Sequence, residues 1–221
     1  MVFRVMNKLV PFLLIGCVVL WHAGVSAEEA DPSEKAAQVL VNLLEPMKSL
    51  AAQFQQTTLD GSGARLQETR GDFKLKRPGL FRWQVIEPES QLVVSDGQQV
   101  YVYDIDLEVV TVQPLDQRLS HTPALLLSGQ AKEVSANFII EHEVAEEVDY
   151  FYLKPRSADT LFEQLRLVFV DKQLREMHLE DSLGQQTSIG FSSMRINPLF
   201  SDDEFQFEIP EGVDVVEGQA G

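Results

Sequence analysis

From Pro46 onward the apolar residues of this chain recur at every second position, and turn residues break the pattern at short intervals. Phe73 and Leu75 share one parity, as do Phe81, Trp83 and Val85, then Leu165, Leu167 and Phe169, and finally Phe205, Phe207 and Ile209. Residues 100–103, 107–112, 138–143 and 150–153 read as further strands. A period of two puts one set of side chains on one face of a pleated sheet, whereas a helix would need a period of 3.6. Asp60-Gly61-Ser62-Gly63 and Asp96-Gly97 supply hairpin turns. Short strands and polar turns in this number predict a mainly β fold with some α, an antiparallel sheet curling toward an incomplete barrel. Such a sheet leaves its apolar face to be covered by something else.

Two segments break the period and are candidates for the cover. Asp31-Pro32-Ser33-Glu34 has a capping residue, a proline suited to the first turn and a glutamate three residues after the cap. Ala36, Val39, Leu40, Leu43 and Leu44 then recur at helical spacing until Pro46 ends the pattern. Thr122-Pro123-Ala124-Leu125-Leu126-Leu127-Ser128-Gly129 reads as a second, short helix with its own cap and stop. At about two turns it would not stand alone in water, and its leucines need an apolar surface to dock on. Two readings fit: the helices lid an apolar hollow on the concave side, or they complete an ordinary core.

The N-terminus predicts export. Residues 1–8 carry Arg4 and Lys8 without an acid, residues 9–20 are apolar, and Val25-Ser26-Ala27 offers small residues at a cleavage site. That order is a secretory signal peptide, with an apolar stretch too short for a membrane span of about 20 residues. The expected domains are therefore a cleaved signal over 1–27 and a single domain over 28–221. Leu14-Ile15-Gly16-Cys17 also fits a lipidation site, but Val18-Val19-Leu20-Trp21 prolongs the apolar run past it, where a polar tether is expected. Cleavage after Ala27 removes Cys17, the one cysteine, and with it any disulfide or thiol chemistry. It also removes Arg4 and Lys8, which makes the net charge of −16 two units more negative. So acidic a chain is poorly suited to nucleic acid, whose binding rests on Lys and Arg at phosphates, or to anionic lipid surfaces. No later stretch reaches membrane-spanning length.

Catalytic motifs are missing. His121, His142 and His178 stand far apart and form no metal-binding pattern; His178, beside Glu176 and Glu180, reads as a solvated strand residue. There is no GxSxG, P-loop or GxGxxG segment. The acid-rich runs over 141–149 and 202–204 read as solvated strand ends or loops. The expectation is a protein that is not an enzyme, with no cofactor and no metal.

One residue stands out by parity. If Phe73 and Leu75 point inward, Arg77 does too, at the end of their strand, while Lys74 and Lys76 take the other face. An inward guanidinium needs acceptors, because an unpaired buried charge costs several kcal/mol. Carbonyls at the end of a short helix are natural ones, since they lack partners and carry partial negative charge. Arg77 is therefore either a latch between sheet and lid or a strand-end arginine paired with a surface carboxylate.

Gly71-Asp72 followed by Lys76-Arg77-Pro78-x-Leu80-Phe81-x-Trp83 resembles the signature segment of the LolA family of lipoprotein carriers. Asp60-Gly61-Ser62-Gly63, Val94-Ser95-Asp96-Gly97 and Thr122-Pro123 extend the resemblance over essentially the whole of 28–221. It implies an incomplete antiparallel β-barrel lidded by helices. Its cavity would shelter the acyl chains of lipoproteins released by the inner-membrane LolCDE transporter, to be passed to LolB, the outer-membrane receptor. It further implies a periplasmic monomer in which Arg77 holds the lid through backbone carbonyls, here near Leu127 and Ser128, and in which Phe81 matters for function. With strand parity, it assigns the cavity to Phe73, Leu75, Phe81, Trp83, Val85, Leu126 and Leu127. The leucine-rich stretch 124–127 departs from the mixed apolar run common in the family, and the acidic tail 211–221 differs too. Two alternatives remain on the same scaffold: a periplasmic lipid-sensing regulatory module, and LolB itself, which would carry a lipid on Cys17.

Overall fold

The structure is a computed structural model that describes residues 31–115, 127–128, 134, 136–157, 160 and 162–218. The expected signal peptide, with Cys17, falls outside the described residues, as does the expected leucine helix apart from Leu127 and Ser128, which lie in a turn.

The N-terminal helix α1 spans Pro32–Leu44. The Asp31 carboxylate accepts the Ser33 N–H at 3.0 Å, which caps the helix as its sequence predicts. The apolar stripe is rotated slightly from expectation. Ala36, Ala37, Leu40, Val41 and Leu44 are buried, while Val39 lies on the open side.

Among the described residues twelve strands follow: β1 (Ser49–Leu59), β2 (Arg65–Lys76), β3 (Leu80–Glu87), β4 (Gln91–Asp96), β5 (Gln99–Asp104), β6 (Val109–Pro114), β7 (Phe138–Ala145), β8 (Val148–Pro155), β9 (Phe162–Val170), β10 (Gln173–Asp181), β11 (Gln186–Ile196) and β12 (Asp214–Glu217). They form one sheet in the order β12-β6-β5-β4-β3-β2-β1-β11-β10-β9-β8-β7. Neighbours are antiparallel except β12, which runs parallel to β6. The two ends of that order, β12 and β7, are different strands with no pairing between them, so the sheet curls without closing.

Two sequence expectations fail locally. Leu107 belongs to the β5–β6 turn and is 72% exposed. Asp104 explains this, because its carboxylate accepts the Leu107 N–H and stabilises the turn in place of another rung. Phe205, Phe207 and Ile209 are not a strand. Ser201 and Glu204 form a capping box, which winds Asp202–Phe205 into a 3-10 turn, and residues 206–210 beyond it join no ladder. The alternation arises differently: the segment is a strap across the outer face. Phe205 is fully buried, and Phe207 packs on Tyr101 and Tyr103 at 5.4 and 5.8 Å. Lys74 and Lys76, on the outer face of β2, hold the strap through Glu204 and Asp202 at 2.9 and 2.6 Å.

The main core lies on the concave face. Strand parity places Leu50, Phe54, Phe73, Leu75, Phe81, Trp83, Phe191 and Ile189 there, and α1 covers them with Leu40 and Leu44. Ser33 anchors the start of the helix, its hydroxyl accepting the Ile140 N–H of β7 at 3.0 Å.

Candidate functional site

The site is the closure over that concave face. Phe73 and Leu75 on β2 and Phe81 on β3 are fully buried; Trp83, Val85 and Leu127 are nearly so. All six belong to one apolar cluster. Phe73 is its hub, with ring centroids 5.4 Å from Phe81, 5.5 Å from Trp83 and 5.7 Å from Phe191. Leu126, the other residue assigned to the cavity from sequence, lies outside the described residues.

Gly71 fixes how tightly these strands approach. It lies at a register shift between β2 and β3, where a Cβ would stand 1.8 Å from the Gln84 carbonyl oxygen and 2.9 Å from the Phe54 ring. Only a residue without a side chain leaves Phe54 room to stack on Trp83, at 3.6 Å.

Arg77 follows β2 directly and its side chain turns to the concave side. Its backbone N–H donates to Lys48 O at 2.8 Å, which fixes the turn against the start of β1. Its Nε donates to the Leu127 carbonyl at 2.9 Å and its Nη1 to the Leu44 carbonyl at 2.7 Å. Two residues on, the Gly79 N–H donates to the Ser128 carbonyl at 2.9 Å, in a left-handed conformation (φ 77°) suited to glycine. The Gly79 carbonyl in turn accepts the buried Ser95 hydroxyl at 2.7 Å. The β2–β3 turn thus holds the Leu127–Ser128 turn by two bonds, and the end of α1 by one.

The chemistry of this junction is electrostatic. Leu44 closes α1, where carbonyls run out of helical partners and the helix carries partial negative charge. Its oxygen accepts Met47 N–H at 3.1 Å and Arg77 as well. Burial pushes the Arg77 guanidinium below its ordinary pKa, but an arginine stays charged. Among the described residues its Nη2 is buried without an acceptor. A guanidinium with one NH2 group unpaired is costly to bury, so the junction holds two strong bonds against a standing penalty. Sequence parity turned Arg77 inward, and the family resemblance pointed to carbonyls near Leu127 and Ser128. Leu127 accepts from the side chain and Ser128 from the Gly79 backbone. Leu44 was missed, because an acceptor on the main chain leaves no mark on residue type. Ser95 was present in a recognised motif but had no role assigned to it.

The histidines lie elsewhere. His142 bonds Asp149 at 2.8 Å and stacks on Phe151, and His178 bridges Ser188 and Glu176. His121 lies outside the described residues. Among the described residues no group of His, Cys, Asp and Glu is placed to hold a metal ion, and no helix is long and apolar enough to cross a membrane.

An open, curled antiparallel sheet, with its apolar concave face closed by a helix and an arginine-held turn, defines a lidded half-barrel. The family model described as outer membrane lipoprotein carrier protein LolA matches residues 45–208, and the chain belongs to the LolA family. It is 48% identical over 210 residues to an outer-membrane lipoprotein carrier protein of Azotobacter vinelandii, covering 95% of this chain and 99% of that one. The outer-membrane lipoprotein carrier protein of Pseudomonas aeruginosa is 45% identical over the same shares of the two chains. Among solved structures, an uncharacterized conserved protein from Thermus thermophilus has a TM-score of 0.51 at 15% identity, over 82% of this chain and 99% of that one, a likeness of fold alone.

Proposed function

We propose that this chain is a periplasmic carrier that accepts lipoproteins released from the inner membrane, shelters their acyl chains against its concave face, and delivers them to an outer-membrane receptor. By its family, the donor is the LolCDE transporter and the receptor is LolB. The observation that carries the reading is the closure itself: an aromatic and aliphatic face held shut by Arg77 on two main-chain carbonyls. The names of the relatives, outer-membrane lipoprotein carriers matched over 95% of this chain, support it.

The energetics suit a carrier. Burying a methylene contributes about 0.8 kcal/mol, so a fully sheltered lipoprotein anchor of tens of methylenes would exceed the roughly 20 kcal/mol at which non-covalent affinity saturates. A carrier must also release, so loading has to be opposed by something of moderate size. Closing the lid hides the apolar face when empty and sets a few hydrogen bonds against loading, each about 1.5–3 kcal/mol when charge-assisted. No step of this cycle makes or breaks a covalent bond.

The test adds the purified protein, residues 28–221, to spheroplasts making a radiolabelled lipoprotein. The label is expected in the soluble fraction as a one-to-one complex with the carrier. Label that stays in the membrane pellet at every carrier concentration would refute the reading.

A further inference from the structure

We infer that the outer face of β1, β2, β3 and β11 carries a docking groove for an acidic, extended segment of a partner protein. This goes beyond the acyl-carrier reading, since the groove lies on the side of the sheet away from the concave core.

The groove is built by a defect in the ladder. The pairing of β1 with β11 shifts register between Ala51 and Gln53, and Ser193 beside it adopts a left-handed backbone (φ 50°). Such a bulge bends a strand and re-aims side chains. The result is a cavity of about 420 Å³ floored by Ala51 and rimmed by polar residues. Three of its lining residues are cations, Lys74, Arg82 and Arg195; Asp72 is the one carboxylate among them. In a chain with a net charge of −16, that concentration of positive charge runs against the average surface. Among the described residues, neither Arg82 nor Arg195 has an ion-pair partner, whereas Arg65 and Arg70 on β2 both do.

The occupant follows from what already touches this face. The strap lays its acidic turn, Asp202–Phe205, over β3 and β4, with Glu204 on Lys74 of β2 at 2.9 Å. The Glu204 carboxyl is held below its ordinary range by its bond to Lys74, and more weakly by the charge of Arg195. One acidic peptide segment of this chain therefore already docks at the groove's edge through its carboxylates. The unpaired Arg82 and Arg195 continue the same pattern, and the amides of Gln53 and Gln84 at the rim offer donors and acceptors to a passing main chain. An acidic strand from a partner could hold the carrier there without contact with the cargo.

The test measures fluorescence anisotropy of a fluorescein-labelled peptide of alternating Glu, Asp and Ser with the purified protein, residues 28–221. A lysine peptide of the same length is the control. The acidic peptide is expected to bind, with affinity falling as salt rises. The paired change Arg82→Gln with Arg195→Gln should weaken it about tenfold, and Arg65→Gln, on β2 but outside the groove, should leave it unchanged. If the double variant fails to fold, the exposed Arg195→Gln alone should weaken binding about threefold. Equal weakening by Arg65→Gln would mean diffuse attraction and would overturn the proposal. So would undiminished binding by the groove variants, or a protein that ignores the peptide but binds phosphatidylglycerol vesicles.

Discussion

Replacing Arg77 with leucine removes the bonds to Leu127 and Leu44 at 2.9 and 2.7 Å while keeping an apolar side chain at the rim of the concave face. Two charge-assisted bonds contribute about 3–6 kcal/mol, and relief of the unpaired Nη2 returns about 1–3 kcal/mol. The net shift toward the open form is therefore about 0–5 kcal/mol, with a middle value of about 2.5 kcal/mol. At a factor of ten per 1.4 kcal/mol, that middle value multiplies the open-to-closed ratio by roughly 60. Because closure is what loading must overcome, the variant should load at least as well as the unmutated protein. It should then retain its cargo, since release no longer gains the closed latch. Arg77→Lys should fall between the two, because an ammonium lacks the planar fork that reaches two carbonyls. The assay follows transfer of a preloaded lipoprotein to purified receptor over time, alongside binding of an apolar dye by the empty protein. Transfer and dye binding both at the unmutated level would refute the latch and leave Arg77 as a structural turn residue.

Other outcomes follow from the same geometry. Phe73→Ala should lower unfolding stability by about 3–5 kcal/mol in urea titrations, since a fully buried ring touching three others leaves a large void. Gly71→Ala should cost about 1–3 kcal/mol or more in the same titration, because the new Cβ meets a carbonyl oxygen that belongs to the ladder. The Asp60 carboxyl lies below its ordinary pKa, first because the Ser62 hydroxyl bonds it and then because turn N–H groups do. A group depressed on folding stabilises above its unfolded value, about 3.9, and loses that contribution as pH falls through its lower folded value. Thermal melts of Asp60→Ala should therefore converge with the native protein as pH falls below about 4 and lie below it at neutral pH.

How much of this was legible in the sequence varies with the physics involved. Asp31 and Pro32 announce α1, because capping and a fixed proline φ are local effects. The inward parity of Phe73, Leu75 and Arg77 could be read because a strand alternates whatever its neighbours do. Phe205 and Phe207 misled for the same reason: a strap pressed on a sheet can bury alternate residues without pairing, and only Ser201 and Glu204 hinted at the turn. Strand β12 was not foreseen, since its parallel pairing with β6 comes from a crossover that an acidic four-residue segment does not advertise. The second acceptor of Arg77 was hidden because it is the carbonyl of Leu44, a residue that sequence assigns to packing alone. The outer groove depends on the β1–β11 bulge, which brings Arg82 and Arg195 together from strands far apart in sequence.

The central claim, that acyl chains occupy the concave face, has a built-in reporter. The chain holds two tryptophans, Trp21 in the expected signal peptide and Trp83 on β3, so in a protein of residues 28–221 the tryptophan emission comes from Trp83 alone. Trp83 is 7% exposed and stacks between residues of the apolar cluster. A tryptophan-free lipoprotein carrying a brominated acyl chain should quench that emission when it forms a soluble complex, and its deacylated counterpart should not. A stable complex that leaves Trp83 emission unchanged would contradict the account.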